Sequence, residues 1–156
     1  MSSGFPRESR NVDARSWHGD IPIGHKYTMG VAGERFFQHL KEHGEITATI
    51  HEGSEAAVLP PRLYNTDTFA PIREWVTVGP GGTVETFTIV RKDRHGEKYE
   101  SPRVLALVRV DGAEGGLMHW LGNCDPSDVT LGMRVRAVFE AQRTGGMSDI
   151  RHFEPA

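Results

Sequence analysis

Apolar positions along the chain switch period twice. From Thr28 to His43 they recur at helical spacing. Ala32, Phe36 and Leu40 fall at i, i+4 and i+8, and Val31 and Phe37 widen the apolar stripe. Thr28 is placed to cap this helix, Glu34 sits near its positive end, and Gly44 is the expected left-handed stop. Glu45–Ile50 then alternates as a short strand does. From Arg73 onward the pattern is that of short strands broken by turn residues. The predicted strands are Glu74–Val78, Thr83–Val90, Arg103–Val110, Leu117–Leu121, Met133–Glu140 and Ser148–Phe153. Gly79–Gly82 and Asp111–Gly116 are turn clusters, Arg91–Ser101 is a charged loop, and Gly122–Leu131 is a longer crossover. Arg103–Val110 is almost continuously apolar, which requires cover on both faces or a strand curled into a barrel. Short strands of even spacing fit a small Greek-key barrel of the OB type. Spacing alone leaves another small barrel or sandwich open.

Residues before Thr28 show no sustained period. Trp17, Ile21, Ile23 and Tyr27 stand in this polar stretch like anchors, either for a partner surface or for the chain's own domain. Between helix and barrel lies His51–Thr68. His51 and Ser54 stand two residues apart, as do Asn65 and Thr68, and ten residues separate the pairs. That is the spacing of a zinc knuckle pair, in which four cysteines would complete a tetrahedron. Here only His51 is a strong zinc ligand, so no metal is expected, and packing through Leu59, Leu63, Tyr64 and Phe69 is expected to hold the segment.

Composition narrows the reading without directing it. A chain of 156 residues with 25% charged side chains suits one soluble domain with a small appendage. A net charge of −3 gives no overall field for nucleic acid or an anionic membrane. The single cysteine, Cys124, excludes an internal disulfide, and no apolar run is long enough to cross a membrane, so a cytoplasmic location is expected.

Several stretches resemble the DUF35 family, whose members pair a rubredoxin-like zinc ribbon with an OB-fold. GVAGERFFQHLKEHGEI (Gly30–Ile46) looks like the family's N-terminal helix, and VLPPRLY (Val58–Tyr64) looks like its ribbon tip. EWVTVGPGGTVETFTIV (Glu74–Val90) and LGMRVRAVFE (Leu131–Glu140) look like its OB strands. The family's C-x2-C-x10-C-x2-C falls on His51, Ser54, Asn65 and Thr68, so the ribbon is degenerate. The organisation the resemblance implies is an extension over 1–28, a helix over 29–44, a degenerate ribbon over 45–72 and an OB-fold domain over 73–156. It also implies a non-catalytic helper subunit of a thiolase-type enzyme acting on CoA thioesters, or else of an acyl-CoA hydratase, with no tightly bound cofactor. A CoA thioester is the ligand such a subunit would share with its partner.

Within that frame Arg62, Arg91, Lys92 and Arg94 are candidate contacts for CoA phosphates, since arginine clamps phosphate bidentately. Trp17, Ile21, Ile23 and Tyr64 are candidate partner contacts. The competing reading of the basic loop is a solvated hairpin, and Trp75 is expected in the core at the barrel mouth. Cys124 reads as a small buried hydrophobe, His119 as a core or interface histidine, and His39 and His43 as solvated histidines near a helix end. Catalytic residues are expected in the partner. The alternative function is single-stranded nucleic-acid binding through an OB groove, with Arg134 and Arg136 as a local basic stripe. A third is a scaffold with no CoA contact.

Overall fold

The computed structural model describes residues 19, 24 and 27–156. Trp17, Ile21 and Ile23, proposed as anchors, lie outside the described residues. Helix α1 spans Gly30–His43 and buries Ala32, Phe36 and Leu40, the three residues of the i, i+4 stripe. Gly44 stops it with φ 68°, and its N–H is donated to the Leu40 carbonyl. The expected Thr28 cap is not made. The residue at that place is Met29, which offers no side-chain acceptor, and the first turn carries no acid.

The strands are β1 Ile46–His51, β2 Ala57–Leu59, β3 Ile72–Val78, β4 Gly81–Lys92, β5 Lys98–Val110, β6 Glu114–Leu121, β7 Arg134–Phe139 and β8 Ile150–Pro155. β4 to β8 close a five-stranded barrel. Neighbours run β6-β5-β4-β7-β8, and a parallel bridge between Leu121 and Phe153 returns β8 to β6. This is the OB-fold closure, with one crossover between β6 and β7 as the sequence indicates. Alternation along the strands fills the barrel with Val84, Val104, Ala106, Val108, Leu117, Val135, Ile150 and Phe153.

β1, β2 and β3 form an antiparallel ribbon, β3-β1-β2. β3, expected to open the barrel, instead pairs with β1 from Ile46↔Val78 to His51↔Ile72. Its period identifies a strand but not the sheet it joins. Trp75 therefore sits in the ribbon rather than at a barrel mouth, half-buried, with the Arg35 guanidinium of α1 4.6 Å above its ring. β2 couples ribbon to barrel by parallel pairing with β6, Val58↔Glu114 and Leu59↔Gly115. Phe36, Leu40, Ile46, Ala48, Leu59 and Val78 join the barrel residues in one continuous core.

The last turn of α1 is tied to the barrel by Arg143. Its Nε donates to the Lys41 carbonyl at 2.9 Å and its Nη1 to the Glu140 carbonyl at 3.2 Å. A cation on the free carbonyls of a helix end satisfies them and opposes the negative end of the dipole. Arg143→Ala is expected to cost about 1–2 kcal/mol, with early loss of α1 amide protection in hydrogen exchange. Unchanged protection of α1 would show that its apolar face alone holds it.

Candidate partner and ligand surfaces

Side chains of the His51–Thr68 segment, together with Thr49, hold the ribbon by hydrogen bonds. The His51 ring is fully buried, and its Nε2–H donates to the Arg62 carbonyl at 2.9 Å. A carbonyl can only accept, so this contact fixes the proton on Nε2. Thr49 Oγ1 accepts from the Arg62 N–H at 3.1 Å and donates to its carbonyl at 3.3 Å. Ser54 Oγ accepts the Ala56 N–H, and Asn65 Oδ1 accepts the N–H groups of Asp67 and Thr68 at 2.8 and 3.0 Å. Asparagine and serine side chains close turns in this way. Among the described residues no group of three His, Cys, Asp or Glu side chains is gathered closely enough to hold an ion.

This bonding overturns the expected apolar packing of the ribbon. Leu59 is buried, but Leu63, Tyr64 and Phe69 are exposed, Tyr64 by 58% and Phe69 by 79%. Phe69 also has φ +58°, a left-handed conformation uncommon for an aromatic residue. Its N–H donates to the Asn65 carbonyl at 2.9 Å, and the Asn65 N–H donates to the Ala70 carbonyl at 2.8 Å. The loop thus fixes two aromatic rings outward on a rigid support. Phe69→Gly is expected to leave the melting temperature unchanged or slightly raised, because glycine adopts this φ freely. A loss of several degrees would show that the ring supports the fold.

The candidate cationic residues fall in two places. Arg62 lies in the ribbon, its backbone clamped as above and its Nη1 donating to Thr66 Oγ1 at 3.3 Å. Arg91, Lys92 and Arg94 lie on the β4–β5 hairpin. The expected loop is largely strand, since β4 runs to Lys92 and β5 begins at Lys98, leaving a turn over 93–97. Asp93 Oδ1 closes that turn by accepting the N–H groups of His95 and Glu97. Arg94 at the tip donates to the His95 ring. The ribbon meets the barrel at Glu114–Gly115, while the hairpin tip is at the far end of β5. The two cationic groups are therefore separate.

Arg91 borders a groove of about 670 Å³ with Ile89, Ser101, Pro102 and Cys124. Burial raises the Cys124 thiol above its ordinary range, and the Asp125 and Asp128 carboxylates raise it further. A thiol held protonated is a weak nucleophile, so this groove suits binding rather than covalent chemistry. His119 is buried, with Nε2–H donated to the Met147 carbonyl at 3.2 Å and its ring edge-on to Phe153, and is a core residue. His39 shares its Nε2 with Glu45 at 3.1 Å, and this bond holds the Glu45 carboxyl below its ordinary range. Arg134 and Arg136 form no free basic stripe, because Asp111 and Glu154 take them up in ion pairs. Phe69 was named from sequence only as packing. Its outward placement rests on the Asn65 turn, whose Asn–x–x–Thr pattern is visible in the chain but does not show which side chains it ejects.

The fold defines the class: a helix, a three-stranded ribbon and an OB barrel sharing one core. Residues 75–140 match the family model for the C-terminal OB-fold domain of ChsH2. No curated protein matches the chain. Among solved structures, it is similar to a DUF35-family protein of unknown function from Sulfolobus solfataricus, with 28% identity and a TM-score of 0.60, over 70% of this chain and 78% of that one. It is also similar in fold to a chain of a structure described as Ltp2-ChsH2(DUF35) aldolase, at 17% identity and a TM-score of 0.62, over 83% of this chain and 98% of that one. Family model and neighbours agree in likening the chain to DUF35 proteins. No helix among the described residues is long and apolar enough to span a membrane.

Proposed function

We propose that the chain is a non-catalytic accessory subunit of a thiolase-type enzyme acting on CoA thioesters, and that the ribbon tip is one of its contacts with that enzyme. The observation that carries this reading is the pair of outward aromatic rings, Tyr64 and Phe69, on a loop locked by its own hydrogen bonds. Rigid exposed aromatics are the residues that contribute most to protein interfaces, because little conformational entropy is lost when they are covered. The aldolase complex containing a DUF35 chain of the same fold supports a heteromeric setting. Arg62, beside these rings and already positioned through its backbone, is the residue best placed to reach a CoA phosphate at such an interface.

Two variants separate the roles. Tyr64→Ser with Phe69→Gly is expected to weaken the complex by about a hundredfold, on the order of 2–3 kcal/mol for two aromatic anchors, with the isolated chain still folded. Arg62→Ala is expected to leave assembly intact and to weaken CoA-thioester binding to the complex by about tenfold. Unchanged assembly in the first case removes the tip from the interface; unchanged thioester affinity in the second removes Arg62 from the site.

A further inference from the structure

The outer face of β5 and β6 breaks the alternation expected of a solvated barrel wall. Residues paired across neighbouring strands point to the same side. Thr88, Leu105 and Trp120 are in register, as are Thr86, Leu107 and Met118. The inner residues of the same strands, Val104, Ala106 and Val108, are buried in the barrel. Leu105, Leu107, Met118 and Trp120 therefore stand together outside. Met118 is 65% exposed, and the other three are half-buried. A groove of about 530 Å³ runs along this patch between Trp120 and the Met147–Arg151 segment. The almost continuous apolar run of β5 thus has one side in the core and the other left for something else to cover.

Charge indicates what covers it. The patch is bounded along β5 by Arg103 at one end and Arg109 at the other, both exposed. Arg73, Arg134, Arg136 and Arg151 are each engaged by a carboxylate. Among the described residues Arg103 and Arg109 are not. Arg103 lies instead over the rings of Trp120 and Tyr99, at 4.1 and 5.6 Å. Stacking holds its guanidinium in place and leaves its hydrogen-bond donors free. A second copy of this chain would bring arginine toward arginine. The undescribed residues before 27 carry Arg7, Arg10, Arg15 and Lys26 against Glu8, Asp13 and Asp20, so they bring no net negative charge to complement the two arginines.

We infer that the outer face of β5–β6 is a docking surface for a different protein, whose matching surface is apolar and bordered by carboxylates facing Arg103 and Arg109. This rests on the accessory-subunit reading and extends it, since the surface lies on the barrel wall, apart from the ribbon tip. An apolar centre ringed by charge supplies affinity from the centre and orientation and association rate from the rim.

The test uses the full chain in its purified native complex. Arg103→Glu with Arg109→Glu changes two exposed side chains, and its melting curve serves as the control for folding. The account expects at least a tenfold weaker complex, with the loss mainly in association rate and greatest at low salt. In parallel, a photo-crosslinking residue replaces Met118. Crosslinks to the partner beside Asp or Glu residues support the inference. Crosslinks to a second copy, to residues 1–26 or to nucleic acid overturn it, as does unchanged affinity of the double variant. If the complex forms but only Tyr64 and Phe69 variants weaken it, the accessory reading stands and this face does not. If the wild-type chain forms no heteromeric complex, both fail.

Discussion

Gly115→Ala is expected to destabilise the protein by about 3 kcal/mol and to lower its melting temperature by roughly 10 °C. Gly115 has φ +89°, and a Cβ built there would run into the Leu59 carbonyl oxygen. That carbonyl belongs to the one short parallel pairing between β2 and β6 that joins ribbon to barrel. The clash is with backbone, so no side chain can swing away to relieve it. Gly96 is the internal comparison. Its φ is also +89°, but it faces open space in the hairpin turn, so Gly96→Ala carries only the conformational term of about 1 kcal/mol. Circular dichroism melts of the two variants decide the matter. Equal costs would mean that the β2–β6 junction has room to adjust and contributes little.

Asp149→Ala is expected to cost a further independent 3 kcal/mol or so, since hydrogen bonds to a buried charge are the expensive ones to lose. Asp149 is buried, and its carboxylate accepts the N–H groups of Thr144 and Gly145, each at 2.7 Å, and the Thr144 hydroxyl at 3.2 Å. Burial pushes its pKa up, but these donors outweigh it, and the carboxyl is held below its ordinary value. The sign follows from that direction. A depressed folded-state pKa gives stability that is fully present above the unfolded value, about 3.9, and is lost as pH falls through the lower folded value. Acid titration of the wild type should therefore steepen below about pH 4. Asp149→Asn keeps the shape and removes the charge, so its stability should be lower at neutral pH and flatter through the acid range. An identical acid limb in both proteins would assign the acid sensitivity to other carboxylates.

The local elements were legible because their signals are local. The Ala32–Phe36–Leu40 stripe and Gly44 define helix α1 without reference to anything distant. The barrel strands were legible from β-branched runs between turn residues, apart from their ends. β4 and β5 outrun the expected limits because the Asp93 turn needs only the residues over 93–97, and the charged residues beside it sit well on exposed strand ends. What was not legible is pairing at a distance. The sequence of β3 suits a ribbon edge as well as a barrel strand, and only its register with β1 decides. Apolar character misled at Leu63, Tyr64 and Phe69. Hydrophobicity indicates that a side chain needs cover but not whether this chain provides it, and here Thr49, His51 and Asn65 had already supplied the ribbon with hydrogen bonds. The grouping of Arg103, Tyr99 and Trp120 likewise depends on the β5–β6 register, which no spacing along the chain reveals.

The central claim is that this chain works as a subunit and leaves the chemistry to a larger partner. The most direct measurement is the intact mass of the complex isolated from the native cell through this chain. The account predicts a hetero-oligomer with a thiolase-type acyl-CoA enzyme near equal stoichiometry, stable at low salt and weakened by the ribbon-tip variants. A chain recovered alone as a single well-behaved species, or with nucleic acid as its only companion, would contradict it.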